Sequence, residues 1–416
     1  MFFYIIEAEH ISSPGQGTSM LIIQKYGGTS VANAERIMHV AHRIAKEYNN
    51  GNKIVVVLSA QGSLTDRLLQ KAHEINPNAS KRELDMLLTT GEQQSVALMA
   101  MAIHTLGLPA VSLNAVQIGL ESTNQYGNAR IKHIQTTRIK KELDQGNIVL
   151  VAGFQGINSL GDLTTLGRGA SDTTAVALAA VLDADLCEIC TDVDGVYTAD
   201  PRVVPTAKKL KYISYDEMLE MACQVLANRA AEIAKHYNVK LIIRSSMTEE
   251  PGTEIGEVSK VEGSYVSGLA IDRDVAQVSV MGVKRLGAAY NIFSLLAKEE
   301  ISVDIILQMP NTTVTDISFT VSKQDMDAAL AILETNRESI GFNTVTHNSS
   351  LAKLSIVGAG MLTSPGVAST MFEALHENGI DIMLITTSEI KITVLIEDRH
   401  TEKAKLAVHD KFAHLM

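Results

Sequence analysis

Six short, nearly unbroken apolar runs, spaced by stretches of helical periodicity, constrain this chain more than any other feature. They are Leu21–Tyr26, Lys53–Ser59, Pro109–Asn114, Asn147–Gly153, Asp185–Asp192 and Lys240–Ser245. Continuous Val/Ile/Leu runs are what strands buried on both faces require. Helical stretches intervene at Ala34–Tyr48, Glu83–Leu106, Ser171–Leu182 and Val225–Tyr237. The alternation predicts an α/β layer over residues 20–247: an open, mainly parallel sheet sandwiched by helices. Ligands of such sheets collect at the carboxyl ends of the strands, so chemistry is sought in the loops that follow them.

Beyond a Glu/Gly/Ser-rich linker, 248–264, the pattern changes and then repeats. Ala276–Gly282 mirrors Ala352–Gly358, Phe293–Leu296 mirrors Phe372–Leu375, Ile301–Ile306 mirrors Ile380–Ile385, and Asp316–Val321 mirrors Glu389–Val394. Four ordered blocks about 75 residues apart predict two copies of one small ferredoxin-like βαββαβ domain, at 265–345 and 346–416. Residues 1–19 read as a loose extension, or as sequence ahead of a start at Met20.

Composition narrows the function. Net charge is −11 with no basic run, so no nucleic-acid partner is expected. No apolar run approaches the roughly 20 residues of a membrane span, and three cysteines in 416 residues suit a reducing, cytoplasmic setting. Cys187 and Cys190 lie three apart on one strand, so their side chains should point to opposite faces as buried structural thiols rather than form a zinc or redox pair. The twelve histidines show no metal-ligand or triad spacing, and no protein metal site is expected.

Three loops carry the candidate chemistry. The first strand runs into Lys25-Tyr26-Gly27-Gly28-Thr29-Ser30. Paired glycines let backbone N–H groups approach a phosphate, and Lys25 can neutralise a phosphoryl group in transfer; a plain turn is the competing reading, and the spacing is not that of a Walker A loop. The second loop, Thr165–Thr174, opens a helix. A helix cap explains Ser171 or Asp172 but neither Arg168 nor the flanking glycines, and an Arg fork suits a carboxylate. The third, Thr191–Arg202, packs acids, Gly and Pro into a turn.

Taken together, Lys25–Val31, Thr89–Glu92, Leu166–Thr173 and Thr191–Arg202 resemble the signatures of the aspartate kinase branch of the amino-acid kinase family, from about Leu21 to the C-terminus. The terminal repeats resemble that family's ACT domains. The resemblance implies phosphorylation of the L-aspartate side-chain carboxylate by ATP with Mg²⁺, giving 4-phospho-L-aspartate. It implies that Lys25, Tyr26, Gly27 and Gly28 hold phosphates, that Asp172 orients Lys25, and that Thr191, Asp192, Tyr197, Asp200 and Arg202 line the nucleotide site. Thr29, Ser59, Thr65, Glu92, Arg168, Gly169 and Ser171 would surround aspartate, with Glu92 on its ammonium and Arg168 on a carboxylate. Two departures stand out: Ala170 where the family usually has Gly, and Gln224 where members often carry a phosphate-binding Lys. They keep a second reading open, a silent amino-acid-sensing subunit.

For the repeats the resemblance implies an effector site and a homodimer or higher homo-oligomer built through the ACT domains. Lysine, alone or with threonine, is the implied effector. Asp304 would receive its ammonium, with Gln308 on the same edge; Ser364 in the Gly360–Val367 loop and the segment Thr387-Ser388-Glu389 would complete the site.

Overall fold

The computed structural model describes residues 19–167, 169–221, 225–257, 266–284, 287–310, 314–359, 361 and 366–413. Packing divides the chain into two units, with boundaries after Val196, after Lys208 and near residue 260, so that Tyr197–Lys208 packs with the C-terminal unit.

In the first unit the strands are β1 (Leu21–Tyr26), β2 (Lys53–Leu58), β3 (Ala110–Leu113), β4 (Leu120–Ser122), β5 (Ile131–Ile134), β6 (Ile148–Ala152), β7 (Gln155–Ile157), β8 (Leu163–Thr165), β9 (Leu186–Thr191), β10 (Tyr212–Ser214), β11 (Leu241–Ser245) and β12 (Thr253–Gly256). The helices are α1 (Ala34–Asn49), α2 (Leu64–Ile75), α3 (Lys81–Leu88), α4 (Thr90–Thr105), α5 (Thr137–Asp144), α6 (Ala170–Leu182), α7 (Tyr215–Met221) and α8 (Asn228–Tyr237). Eight strands form the main sheet in the order β10-β12-β11-β9-β1-β2-β6-β3, and β5-β4-β7-β8 form a second, smaller one. Every pairing in the main sheet is parallel except β11 with β12.

Side-chain alternation splits the core into two layers. Ile23, Val55, Val57, Val149, Val151 and Cys187 face α6 and α8. Ile22, Ile54, Val56, Leu58, Leu150 and Cys190 face α1 and α4. Each strand is therefore apolar on both sides, which explains the unbroken runs, and the two cysteines do lie on opposite faces. Burial lifts both thiols, Cys190 to about 12, so neither supplies a thiolate at neutral pH.

The second unit contains β13 (Gly268–Lys284), α9 (Ala288–Lys298), β14 (Ile306–Pro310), β15 (Val314–Val321), α10 (Met326–Thr335), α11 (Arg337–Ile340), β16 (Thr344–Val357), α12 (Val367–Glu377), β17 (Leu384–Thr387), β18 (Lys391–Glu397) and α13 (Thr401–Phe412). One antiparallel sheet, β14-β15-β13-β16-β18-β17, runs through both repeats. The two long central strands pair along their length. Thr344–Asn348 closes the first repeat against Gln277–Met281, while Gly268–Asp272 closes the second against Lys353–Val357. Each repeat thus borrows the strand that completes its βαββαβ unit from the start of a strand it shares with its neighbour, and each has its own apolar core. No described helix is long and apolar enough to cross a membrane.

Candidate active site

Parallel register brings the ends of β1, β2, β6 and β9 to one edge. Tyr26 lies opposite Leu58 and Cys190, and Leu58 opposite Ala152. The exits are then tied together: Ser59 N donates to Tyr26 O, Gly153 N to Leu58 O, and Gly27 N to Cys190 O. Lys25 reaches this edge, and its Nζ stands 2.6 Å from Asp172 Oδ1, with both side chains about one-tenth exposed. The contact is an ion pair rather than a directed hydrogen bond. Asp172 sits in the first turn of α6, and its Oδ2 accepts a long 3.4 Å bond from Ala227 N.

Close approach requires a glycine at position 28, whereas position 27 has ordinary van der Waals room for a side-chain carbon. A Cβ on Gly28 would fall 2.4 Å from the carbonyl oxygen of Ala60, and one on Gly27 would stand 3.6 Å from Lys25 Nζ. Gly28 and the Ala60–Gly62 turn therefore touch backbone to backbone, and Gly62 N donates to Gly28 O at 2.9 Å. Gly91, at the start of α4, packs on the same turn, where a Cβ would lie 2.8 Å from that of Ala60.

That packing places Glu92. The residue is 3% exposed; its Oε1 accepts from Ala60 N at 3.1 Å and its Oε2 is buried without a hydrogen-bond partner. Burial pushes its pKa up to about 7, against the opposing pull of backbone N–H bonds. A buried carboxyl with an orphan oxygen suits a ligand that brings a positive charge.

Ser171, one residue before Asp172, lies over the end of β6 so closely that a Cβ on Gly153 would be 2.6 Å from its Oγ. Gly167 and Gly169 have φ of 90° and 68°, so the stretch before α6 is shaped by residues free to enter the left-handed region. Arg168 lies outside the described residues, as does Gln224. The methyl of Ala170 is buried in the first apolar core, so it packs the scaffold. Ser59 and Thr65 are half-buried on the turn after β2 and at the start of α2; Thr29 is exposed, and its carbonyl accepts from Arg36.

Thr191 ends β9, with its hydroxyl 3.0 Å from Asp192 Oδ1 and its carbonyl accepting from Ser246 N. Tyr197, Asp200 and Arg202 fall in the segment that packs with the C-terminal unit. There Thr198 O accepts from Leu269 N, and Thr198 Oγ1 lies 3.1 Å from Nε2 of the buried His409. Arg202 grips Asp200 through two nitrogens and holds its carboxyl below the usual range.

In the repeats, Asp304 is exposed but engaged by Lys353, which also meets Asp272. Gln308 is exposed on edge strand β14, Thr387 is exposed at the end of β17, and Ser388 and Glu389 are exposed between β17 and β18. Ser364 lies outside the described residues. The sequence reading passed over the Ala60 amide that holds Glu92 and two side chains that hydrogen-bond the start of the second loop, Asp85 to Thr165 and Arg229 to Leu166. Asp85 and Arg229 occupy ordinary polar positions in helical stretches, and only tertiary packing reveals them.

Residues 20–245 match the amino acid kinase family, and residues 278–336 and 354–412 match an ACT domain. An aspartokinase of Bacillus sp. (strain MGA3) is 48% identical over 398 residues, 94% of this chain and 97% of that protein. Among solved structures, E. coli aspartokinase III in complex with aspartate and ADP (R-state) superimposes with a TM-score of 0.83 at 23% identity, over 94% of this chain and all of that one. The same enzyme in complex with lysine and aspartate (T-state) gives 0.69 at 23% identity, over 94% and 99%. At that identity the likeness is one of fold.

Proposed function

The chain belongs to the amino acid kinase family, as an aspartokinase with two C-terminal ACT domains, and from that premise we propose how its residues divide the work. The reaction joins a side-chain carboxylate oxygen of L-aspartate to the γ-phosphorus of ATP and breaks the bond to the β-phosphate oxygen, giving 4-phospho-L-aspartate and ADP. The nucleophile has a solution pKa of about 3.9 and arrives ionised, so no general base is needed. The barrier is the approach of an anion to a polyanion.

The observation that carries the assignment is the Lys25–Asp172 pair at the carboxyl edge, beside a backbone turn that leads to Glu92. Lys25 neutralises the phosphoryl group and Asp172 aims it. The backbone turn at Gly27 and Gly28 cradles the phosphates, and Tyr26, wholly buried in the core beneath, anchors that turn. Glu92 takes the aspartate ammonium on its free oxygen, while Arg168, Gly169, Ser171, Ser59, Thr65 and Thr29 complete the aspartate side. Thr191, Asp192, Tyr197, Asp200 and Arg202 serve the nucleotide. Magnesium enters with ATP as part of the substrate, held chiefly by phosphate oxygens as this ion usually is.

In the repeats, Asp304, Gln308, Ser364 and Thr387–Glu389 hold an amino-acid effector, with lysine to be tested first and threonine second. Self-association runs through the edges of the six-stranded sheet, where Ile306, Met309 and Ile385 are exposed on β14 and β17.

Purified protein given MgATP and aspartate, with hydroxylamine as trap, should yield aspartyl-hydroxamate. No product above background would overturn the assignment and leave an amino-acid sensor.

A further inference from the structure

Asp85 and Arg229 carry opposite charges, come from different helices, and grip the same two pieces of backbone. Asp85, on α3, is 1% exposed. Its Oδ1 accepts from Thr165 Oγ1 at 2.7 Å, and its Oδ2 accepts from Thr165 N and Gly127 N, each at 2.9 Å. Arg229, on α8, donates from Nη1 to Leu166 O at 2.9 Å and Ala129 O at 3.0 Å, and from Nη2 to Asn128 Oδ1 at 3.0 Å. All six partner atoms are uncharged. The two gripped segments are themselves joined, since Ala129 N donates to Thr165 O at 2.9 Å.

The chain that leaves this knot is Gly167-Arg168-Gly169-Ala170-Ser171. Gly167 and Gly169, both with positive φ, lend the chain here little stiffness, and Gly169 is the N-cap of α6 with no side-chain cap bond. Its place must be imposed from outside. Charge-assisted hydrogen bonds to neutral backbone suit that task, being about twice as strong as neutral ones. The helix carrying Arg229 adds two contacts: Ala227 abuts Gly169, where a Cβ would come within 2.8 Å, and Ala227 N reaches Asp172.

We infer that Asp85 and Arg229 are positioning residues for the aspartate-binding loop, fixing the take-off point of Gly169 and Ser171 without touching substrate. The inference rests on the reading that this loop binds aspartate. A purely structural role would lower stability and affect both substrates alike. A positioning role moves the aspartate KM selectively.

The test measures both KM values, kcat and Tm for Arg229→Gln, Arg229→Lys and Asn128→Ala. Arg229→Gln should raise the aspartate KM about tenfold or more while leaving the ATP KM within about twofold, because small misplacements of a binding group are costly. Arg229→Lys should recover part of the loss, since a single ammonium cannot span the three acceptors. Asn128→Ala alters an exposed residue that a folded variant tolerates, and should shift the aspartate KM the same way by about two- to threefold.

Equal changes in the two KM values, or an aspartate KM within twofold of wild type in both Arg229→Lys and Asn128→Ala, would overturn the inference. Those two variants decide the matter if Arg229→Gln does not fold. Ser171→Ala is the control: a raised aspartate KM there, with none in the other variants, overturns the positioning role and keeps the loop reading. Wild-type protein without aspartate-dependent turnover overturns both.

Discussion

The ammonium of Lys353, in the second repeat, sits 2.6 Å from the carboxylate of Asp304, in the first. The chain thus places its own cation on the acid proposed to receive the effector's. Lys353→Met should remove that competitor, so the lysine concentration for half-inhibition should fall by up to roughly fivefold, the weight of an ion pair worth about 1 kcal/mol. Tm should change little, because Asp304 and Asp272 are substantially exposed. Inhibition curves that stay put, or move to higher lysine, rule out the competition.

Lys25→Ala removes the cation at the phosphoryl position and leaves Asp172 buried without its partner. A loss of kcat of about 10²–10³-fold is expected, the usual weight of one charge-stabilising donor. Effector binding, followed by lysine-induced thermal shift, should persist because the repeats have separate cores. Turnover like that of wild type would remove Lys25 from the mechanism.

Glu92 gives the aspartate site a pH dependence. Its pKa of about 7 in the free protein means that below this pH the substrate ammonium must displace a proton. The aspartate KM should therefore rise about tenfold for each pH unit below 7 and level off above 8. Glu92→Gln should give a high, pH-flat KM. The stability linkage runs in the matching direction. A carboxyl whose folded pKa is raised stabilises the fold fully below its unfolded value, and that contribution is lost as pH rises through about 7. The ligand-free wild type should lose Tm between pH 6 and 8 relative to Glu92→Gln. A wild-type KM profile flat from pH 6 to 8 counts against the assignment.

Gly153→Ala tests the packing of the substrate edge. The new methyl would lie 2.6 Å from Ser171 Oγ and 3.1 Å from Ser171 Cα, so the start of α6 must shift. A destabilisation of about 1–3 kcal/mol is expected, with a raised aspartate KM. Calorimetry showing wild-type Tm together with wild-type kinetics would mean that Ser171 is free to move away at no cost.

The central strands were legible because burial on both faces writes itself as continuous apolar sequence; β1 runs from Leu21 to Tyr26 as expected. Helix α2 was not read, although Leu64, Leu68, Ala72 and Ile75 recur at helical spacing; it buries none of its residues fully. The stretch read as one helix, Glu83–Leu106, is two, α3 and α4, broken at Thr89. The break lets Gly91 settle on Ala60, a tertiary need that periodicity cannot display. Strands of three or four residues, such as β4, β7 and β8, are too short for a period to emerge. Of the site, the loop after the first strand pointed to Lys25, family resemblance joined the distant Asp172 to it, and the structure supplies their 2.6 Å contact. The six hydrogen bonds of Asp85 and Arg229 left no trace in sequence, since their partners are mostly backbone atoms.

The excursion Tyr197–Lys208 bears on how such a protein can be re-engineered. Because the polypeptide visits the C-terminal unit mid-sequence and returns, a single splice near residue 260 does not swap one sensor for another. A foreign regulatory half would have to offer a berth for Thr198 equivalent to the Leu269 amide and the His409 imidazole. Grafts that keep those two groups, or that transplant residues 197–208 along with the new half, are the ones expected to yield a working chimera.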